Sequence, residues 1–438
     1  MASKPLFLNP HPLAYIMRTV LYNCGPIVTF DSDKPLIGQE MSNDKWILSF
    51  GKAIVVNDGR IEDIQYSEEA LNDYESHNTN SKEVQLIDVD GRAVIPGLID
   101  SHTHLVWAGD RSREVRLKLQ GKSYSDIAKM GGGINSTVSD TRQMSELELF
   151  NLAKQRAITA LNNGTTFMET KTGYGLNNEN ELKLLSVAKR LNLDDMTPGI
   201  DSTWLGAHAI PQGHDLESYT YEIINSQLPA IAESGLARSA DVFCEPGWFG
   251  IDESKSILKE AEKFGLDLRM HIDEFCDGGG GQLAAEMKVT TADHAHYTNE
   301  DARDQMNKSS VNTGFLPGTP YSMGSEWPNF NHMIDRGYQW TIATDYNPNN
   351  QVLSLPFIGS CLVQRCGVDP LATLAACTIN PSFTTPHNTG ISHGKIAPNA
   401  VANLNILNSK DWESWCLTPG HSPFANTMLE GRLTSNEY

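Results

Sequence analysis

The chain has 438 residues, room for two or three domains at roughly 150 residues each, or for one large barrel with an appendage. Its 34 Lys and Arg against 54 Asp and Glu leave a net charge of −20, which argues against a nucleic-acid partner and against docking on anionic lipid. With 39% apolar and 8% aromatic residues the chain can build a sizeable core, which excludes wholesale disorder. The seven cysteines form no CxxC pair and read as reduced thiols of a cytoplasmic protein. The opening MASKPLFLNPHPLAYIMRTVLYNC carries Pro and His where a signal peptide needs an unbroken apolar run. No stretch approaches the roughly 20 apolar residues of a membrane span.

In chain order, residues 20–65 read as short strands, with Asn57-Asp58-Gly59 as a hairpin turn. Residues 66–85 are acidic and read as a loop or short helix, and VQLIDVDGRAVIPGLID brings two more strand-like runs. From about residue 94 the texture alternates. Eight apolar runs (93–104, 165–174, 201–208, 240–247, 267–275, 289–296, 310–319 and 340–347) end in polar or Gly-rich loops. Segments of helical period lie between them, among them ELELFNLAKQRAITALNNG, ENELKLLSVAKRL, SILKEAEKFG and QLAAEMK. Asn163-Gly164 and Gly265 stand where helices should stop. Eight strands alternating with helices predict an α/β chain built on a (β/α)8 TIM-like barrel. A doubly wound sheet would gather its ligand at one switch point, whereas here polar residues close nearly every run. The tail returns to strand-like pieces at GKIAP, ANLNILN and TMLEGRL. Residues 1–92 and 384–438 are therefore expected to form a small β-sandwich domain from both termini, around a barrel at 93–383.

His102 and His104 close the first run two positions apart, so both imidazoles face the same way at the barrel mouth. His271 closes the fifth run, His294 the sixth and Asp345 the eighth. Apolar strands do not carry His or Asp at one common end without a partner for them. A catalytic metal site wants three or four protein ligands and an open position. His102, His104, His271 and Asp345 are the expected ligands, with His294 beside the bound water or the substrate. Three imidazoles and a carboxylate suit one zinc ion per subunit, with iron as the alternative. Glu274, three residues after His271, is placed to shuttle a proton to a leaving nitrogen, and Asp273 reads as structural. Lys171 closes the second run; a bridging carbamylated lysine of a two-metal site is disfavoured, because only four good ligands accompany it. Arg111 and Arg113 follow the His-Thr-His motif, Tyr124 lies in the loop beyond them, and Tyr174 and His208 close the second and third runs; an Arg flanked by Tyr hydroxyls suits a clamp for a small carboxylate. Gly278–Gly281 lacks the spacing and the Lys of a phosphate loop.

PGLIDSHTH after a β-rich start, with His, His and Asp on later strands, resembles the amidohydrolase superfamily of metal-dependent hydrolases. More narrowly, HTHLVWAGDRSREVRLKLQGKSYSDIAKMGGGINSTV, TKTGYGL, WLGAHAIP, DVFCEPG, HIDEF, ADHAH, LPGT and ATDYNPN are similar to the imidazolonepropionase family. These motifs follow in order from about residue 90 to 350. The resemblance implies hydrolytic opening of the ring of 4-imidazolone-5-propanoate to N-formimidoyl-L-glutamate, in histidine degradation. It implies His102, His104, His271 and Asp345 as metal ligands, and Arg111, Tyr124, Tyr174 and His208 as substrate contacts. Glu274 and His294 would stand at the reacting amide. After Asp345 many members read FNPGS where this chain reads YNPNN: Asn347 carries over, while Asn349 and Asn350 replace Gly and Ser at contact positions. A related deaminase of a nitrogen heterocycle is the alternative. The assembly stays open, a homodimer being one option.

Overall fold

The computed structural model describes residues 18–78, 84–122, 126–127 and 130–434. Eight parallel strands follow one another in sequence order around a single sheet. They are Leu98–Asp100, Thr165–Lys171, Gly199–Ala207, Ser239–Cys244, Asp267–Ile272, Thr291–His294, Asn312–Phe315 and Trp340–Ile342. The sheet closes on itself beyond the named strands. The amide of Asp345 donates to the His102 carbonyl at 3.1 Å and that of His104 to the Tyr346 carbonyl at 2.8 Å. The expected (β/α)8 barrel is present. All seven residues of Thr165–Lys171 are buried, as a strand walled by barrel interior on one side and helices on the other must be.

The connecting helices start where side chains can satisfy their first N–H groups. Ser145 and Glu148 form a capping box at Glu146–Asn162, Asn177 caps Asn178–Asn192 and Asn299 caps Glu300–Lys308. Gly164, just beyond the first of these, has φ +83°, and a Cβ there would lie 2.2 Å from the Phe424 ring. The helix therefore ends in a left-handed turn pressed against the C-terminal segment. Among the described residues no helix is long and apolar enough to cross a membrane.

Two further sheets come from the termini. A four-stranded sheet holds Arg18–Cys24, Lys52–Asn57, Arg60–Tyr66 and Val84–Asp88. Its hairpin turns at Asp58 and Gly59, both at positive φ, as the Asn-Asp-Gly signal predicts. A six-stranded sheet joins Ile27–Val28, Ile47–Leu48 and Val94–Pro96 on one side to Leu404–Leu407, Phe424–Leu429 and Arg432–Thr434 on the other, through the pairing of Val94–Pro96 with Leu404–Leu407. Leu21, Ile54, Ile61, Val94, Leu404 and Met428 fill the space between them. The acidic stretch is a helix, Ser67–Asn78.

Two expectations change in detail. The run 93–104 is split: Val94–Pro96 pairs within the terminal sheet, Leu98–Asp100 within the barrel, and Gly97 lies between them. GKIAP is not a strand. Gly394 and Asn399 take positive φ and Pro398 has no N–H to donate, so extended pairing cannot run through it.

Candidate active site

The first, fifth, sixth and eighth strands deliver His102, His104, His271, His294 and Asp345 to one end of the barrel, each no more than 6% exposed. Donor atoms of His102, His271 and His294 lie within 4.8 Å of one another, and so do those of His102, His104 and Asp345. Asp345 Oδ1 stands 3.7 Å from Nε2 of both His102 and His104. Its other oxygen accepts from the Thr319 hydroxyl at 2.6 Å. Nε2 of His102, Nε2 of His271 and Nδ1 of His104 are buried without a hydrogen-bond partner. Such atoms are costly unless something binds them.

The other ring nitrogens of His102 and His271 are held by carboxylates. His102 Nδ1 meets Asp293 Oδ2 at 2.6 Å, and His271 Nδ1 meets Asp241 Oδ1 at 2.9 Å. Carboxylates in that position orient a ligand imidazole and leave its other nitrogen available. Burial, reinforced by the Lys171 ammonium, pushes His102 well below its ordinary pKa. Burial does the same to His104 and His294, so all three are neutral donors at pH 7. Burial lifts Asp345 to about 6 and, with the nearby Asp345 and Glu245 carboxylates, lifts Glu274 well above the usual carboxylate range.

Glu274 lies beyond the fifth strand, its Oε2 3.6 Å from His294 Nε2. Its loop is shaped by Glu245, whose carboxylate accepts the backbone N–H groups of Glu274, Phe275 and Cys276. Asp273 is structural, as expected: it accepts from the Thr298 hydroxyl and from the amides of Gly278, Gly280 and Gly281. Those glycines therefore bind a protein carboxylate and turn the chain into the helix Gly280–Met287. Backbone strain gathers here too, since Asp273, His294, Ala295 and Asp345 all have φ between +46° and +63°.

An open cleft lies over these donors. Arg111, Tyr174, His208, Asn347 and Asn349 line it together with Glu274, His294 and an aromatic wall of Phe243, Trp248 and Phe275. The Nε–Nη2 edge of Arg111 makes a bidentate pair with Glu114, at 3.0 and 2.7 Å, which fixes the guanidinium against the cavity. His208 stacks on His104 with ring centroids 5.1 Å apart, and Tyr174 meets both rings edge-on. Asn349 sits at the rim, where it accepts from Lys118. Asn350 is not brought to the cavity wall: it is buried, and its amide donates to the carbonyls of Thr344 and Asp345. Tyr124 lies outside the described residues. Asp241, Asp293, Glu114 and Glu245 did not stand out in the sequence. The available signal was a carboxylate inside an otherwise apolar run, as in ADVFC and TADH.

No family model matches the chain. Imidazolonepropionase from Geobacillus kaustophilus is 36% identical over 411 residues, 93% of this chain and 95% of the relative. Probable imidazolonepropionases of Nematostella vectensis and Dictyostelium discoideum are 37% and 33% identical, over 83% and 96% of this chain and 84% and 99% of their own. Among solved structures, 5-methylcytosine deaminase from Klebsiella pneumoniae matches with a TM-score of 0.67 at 15% identity, covering 96% of this chain and 98% of its own. A. niger ochratoxinase matches at 0.66 and 16%, covering 97% of each chain. These two likenesses concern the fold alone. With curated relatives above 30% identity along most of its length, the chain belongs to the imidazolonepropionase family.

Proposed function

We propose that this chain hydrolyses 4-imidazolone-5-propanoate to N-formimidoyl-L-glutamate, with one divalent ion held by His102, His104, His271 and Asp345. The observation that carries the reading is a pair of donor groups that meet at His102, one with His271 and His294 and one with His104 and Asp345, in which Nε2 of His102 and of His271 are buried without partners. Three imidazoles and one carboxylate fit zinc, with iron as the alternative. When bound, the ion supplies Lewis acidity, which draws the pKa of a water toward neutrality.

The rest falls to the side chains. Arg111 anchors the propanoate, and Tyr174 and His208, packed beside His104, form the wall against which the ring is oriented. His294 faces the carbonyl oxygen, where charge develops as water adds. Glu274 takes a proton from the attacking water and passes it to the ring nitrogen as the C–N bond breaks. Its pKa, raised by burial and by the neighbouring carboxylates, suits a group that must both accept and return a proton. Asn347 and Asn349 contribute polar contacts at the rim, while Asn350 supports the turn beneath them. Seven sparse cysteines, all free thiols, support a cytoplasmic setting.

The test is direct. Adding 4-imidazolone-5-propanoate to metal-quantified protein should abolish the ring absorbance and yield N-formimidoyl-L-glutamate without ammonia. Stripping the metal with a chelator should stop turnover, and restoring zinc or iron should return it. Ammonia release would favour deamination, and turnover that survives complete metal removal would end this reading.

A further inference from the structure

Lys171 closes the second strand, wholly buried, and no step above uses it. Its Nζ stands 2.9 Å from Glu169 Oε1, 2.8 Å from Asp241 Oδ2 and 3.9 Å from Asp293 Oδ2. Glu169 and Lys171 are two apart on one strand and so share a face. Asp241 uses its other oxygen to engage His271 Nδ1 at 2.9 Å. Asp293 engages His102 Nδ1 at 2.6 Å, while its own Oδ1 accepts from Thr291 at 2.6 Å. One ammonium thus reaches, through two carboxylates, two imidazoles whose Nε2 atoms are unpartnered.

That arrangement has a mechanical meaning. A neutral imidazole offers a lone pair at Nε2 only when its proton sits on Nδ1, and an acceptor facing Nδ1 selects that tautomer and ring angle. Asp241 and Asp293 are buried on the fourth and sixth strands, with the fifth between them, and like charges in such a setting repel. The Lys171 ammonium, in contact with Asp241 and 3.9 Å from Asp293, offsets that repulsion and favours both carboxylates staying pointed at their rings. We propose that Lys171 is a positioning residue: by clamping Asp241 and Asp293 it holds His102 and His271 with Nε2 presented to a common metal ion. The inference rests on the metal-centre reading above.

Zinc affinity, measured by competition with a chromophoric chelator, separates the two. Lys171→Ala and Lys171→Met should bind zinc at least about tenfold more weakly than wild type while keeping its circular dichroism, the loss typical of removing an outer partner of a ligand histidine. Ethylammonium at tens of millimolar should recover much of the affinity in Lys171→Ala, whose gap it can fill, and none in Lys171→Met. Wild-type affinity in the folded variants, or no recovery by the amine, overturns the proposal. If neither variant folds, histidine-selective 15N spectra of the metal-free wild type decide: Nδ1–H on both rings supports the clamp, and Nε2–H on either overturns it. A wild-type chain that binds no zinc would sink the metal-centre reading itself, whereas tight wild-type binding with unchanged variants sinks only this inference.

Discussion

Glu274 and Arg111 divide the work of the cavity between bond breaking and tail recognition, so their replacements should fail in different ways. Glu274→Gln keeps the shape and removes the proton carrier. We expect kcat to fall by roughly 10²- to 10⁴-fold with metal content unchanged, as read by steady-state kinetics alongside metal analysis. A rate near wild type would deny it the shuttle role. Arg111→Met removes a guanidinium that Glu114 holds at 2.7 and 3.0 Å. Its KM for the propanoate-bearing substrate should rise steeply, while a ring lacking the tail should be processed much as before. Equal loss on both substrates would assign Arg111 a structural part instead. The five donor residues were legible in the sequence because each is a polar side chain ending an apolar run. Asp241 and Asp293 were less so: inside a strand, a buried carboxylate declares its purpose only once the ring it faces is known.

At the level of elements, the site depends on where strands begin and stop. Gly97 separates Val94–Pro96 in the terminal sheet from Leu98–Asp100 in the barrel, and a Cβ there would lie 2.3 Å from Thr166 Oγ1. Gly97→Ala should cost roughly 1–3 kcal/mol in urea unfolding, and adding Thr166→Ala should recover part of it. Ser145→Ala deletes half of a capping box at the longest barrel helix and should cost about 1 kcal/mol. Ring opening in that variant should be unchanged, because Ser145 is not among the residues that line the cavity. Strands, helices and caps were readable from period and spacing. The split of 93–104 was not, since one continuous apolar run looks alike whichever sheet each half joins.

Across the whole molecule, the segment after the eighth strand packs beneath the barrel and ties it to the terminal sheets. His393 lies there, 2% exposed, against Phe167 and His387. Burial, with a smaller push from His387, drives its pKa from 6.5 down to about 3. A folded-state pKa below the unfolded one means that the unfolded chain takes up the proton first. His393 therefore costs nothing above pH 6.5, and stability drains away as pH falls from there toward about 3. At pH 5 the loss from this one group is about 2 kcal/mol relative to pH 7. His393→Gln should show a correspondingly flatter change in unfolding free energy between pH 7 and pH 5. An unchanged pH slope would remove His393 from the acid response.

Much of this protein was settled by its order of residues alone. Eight apolar runs with helical segments between them leave a barrel as the economical way to bury every strand, and His, Asp and Glu at the run ends must then share one mouth. Local rules cannot say more than that, because they act over a few residues. The approach of Asp345 Oδ1 to two imidazoles, the carboxylates under His102 and His271, and the retreat of Asn350 beneath its turn join positions up to 243 residues apart. Closure of the barrel decides those contacts, by fixing the rotation of each strand about its neighbours and so choosing which side chain faces the cavity and which is spent holding it.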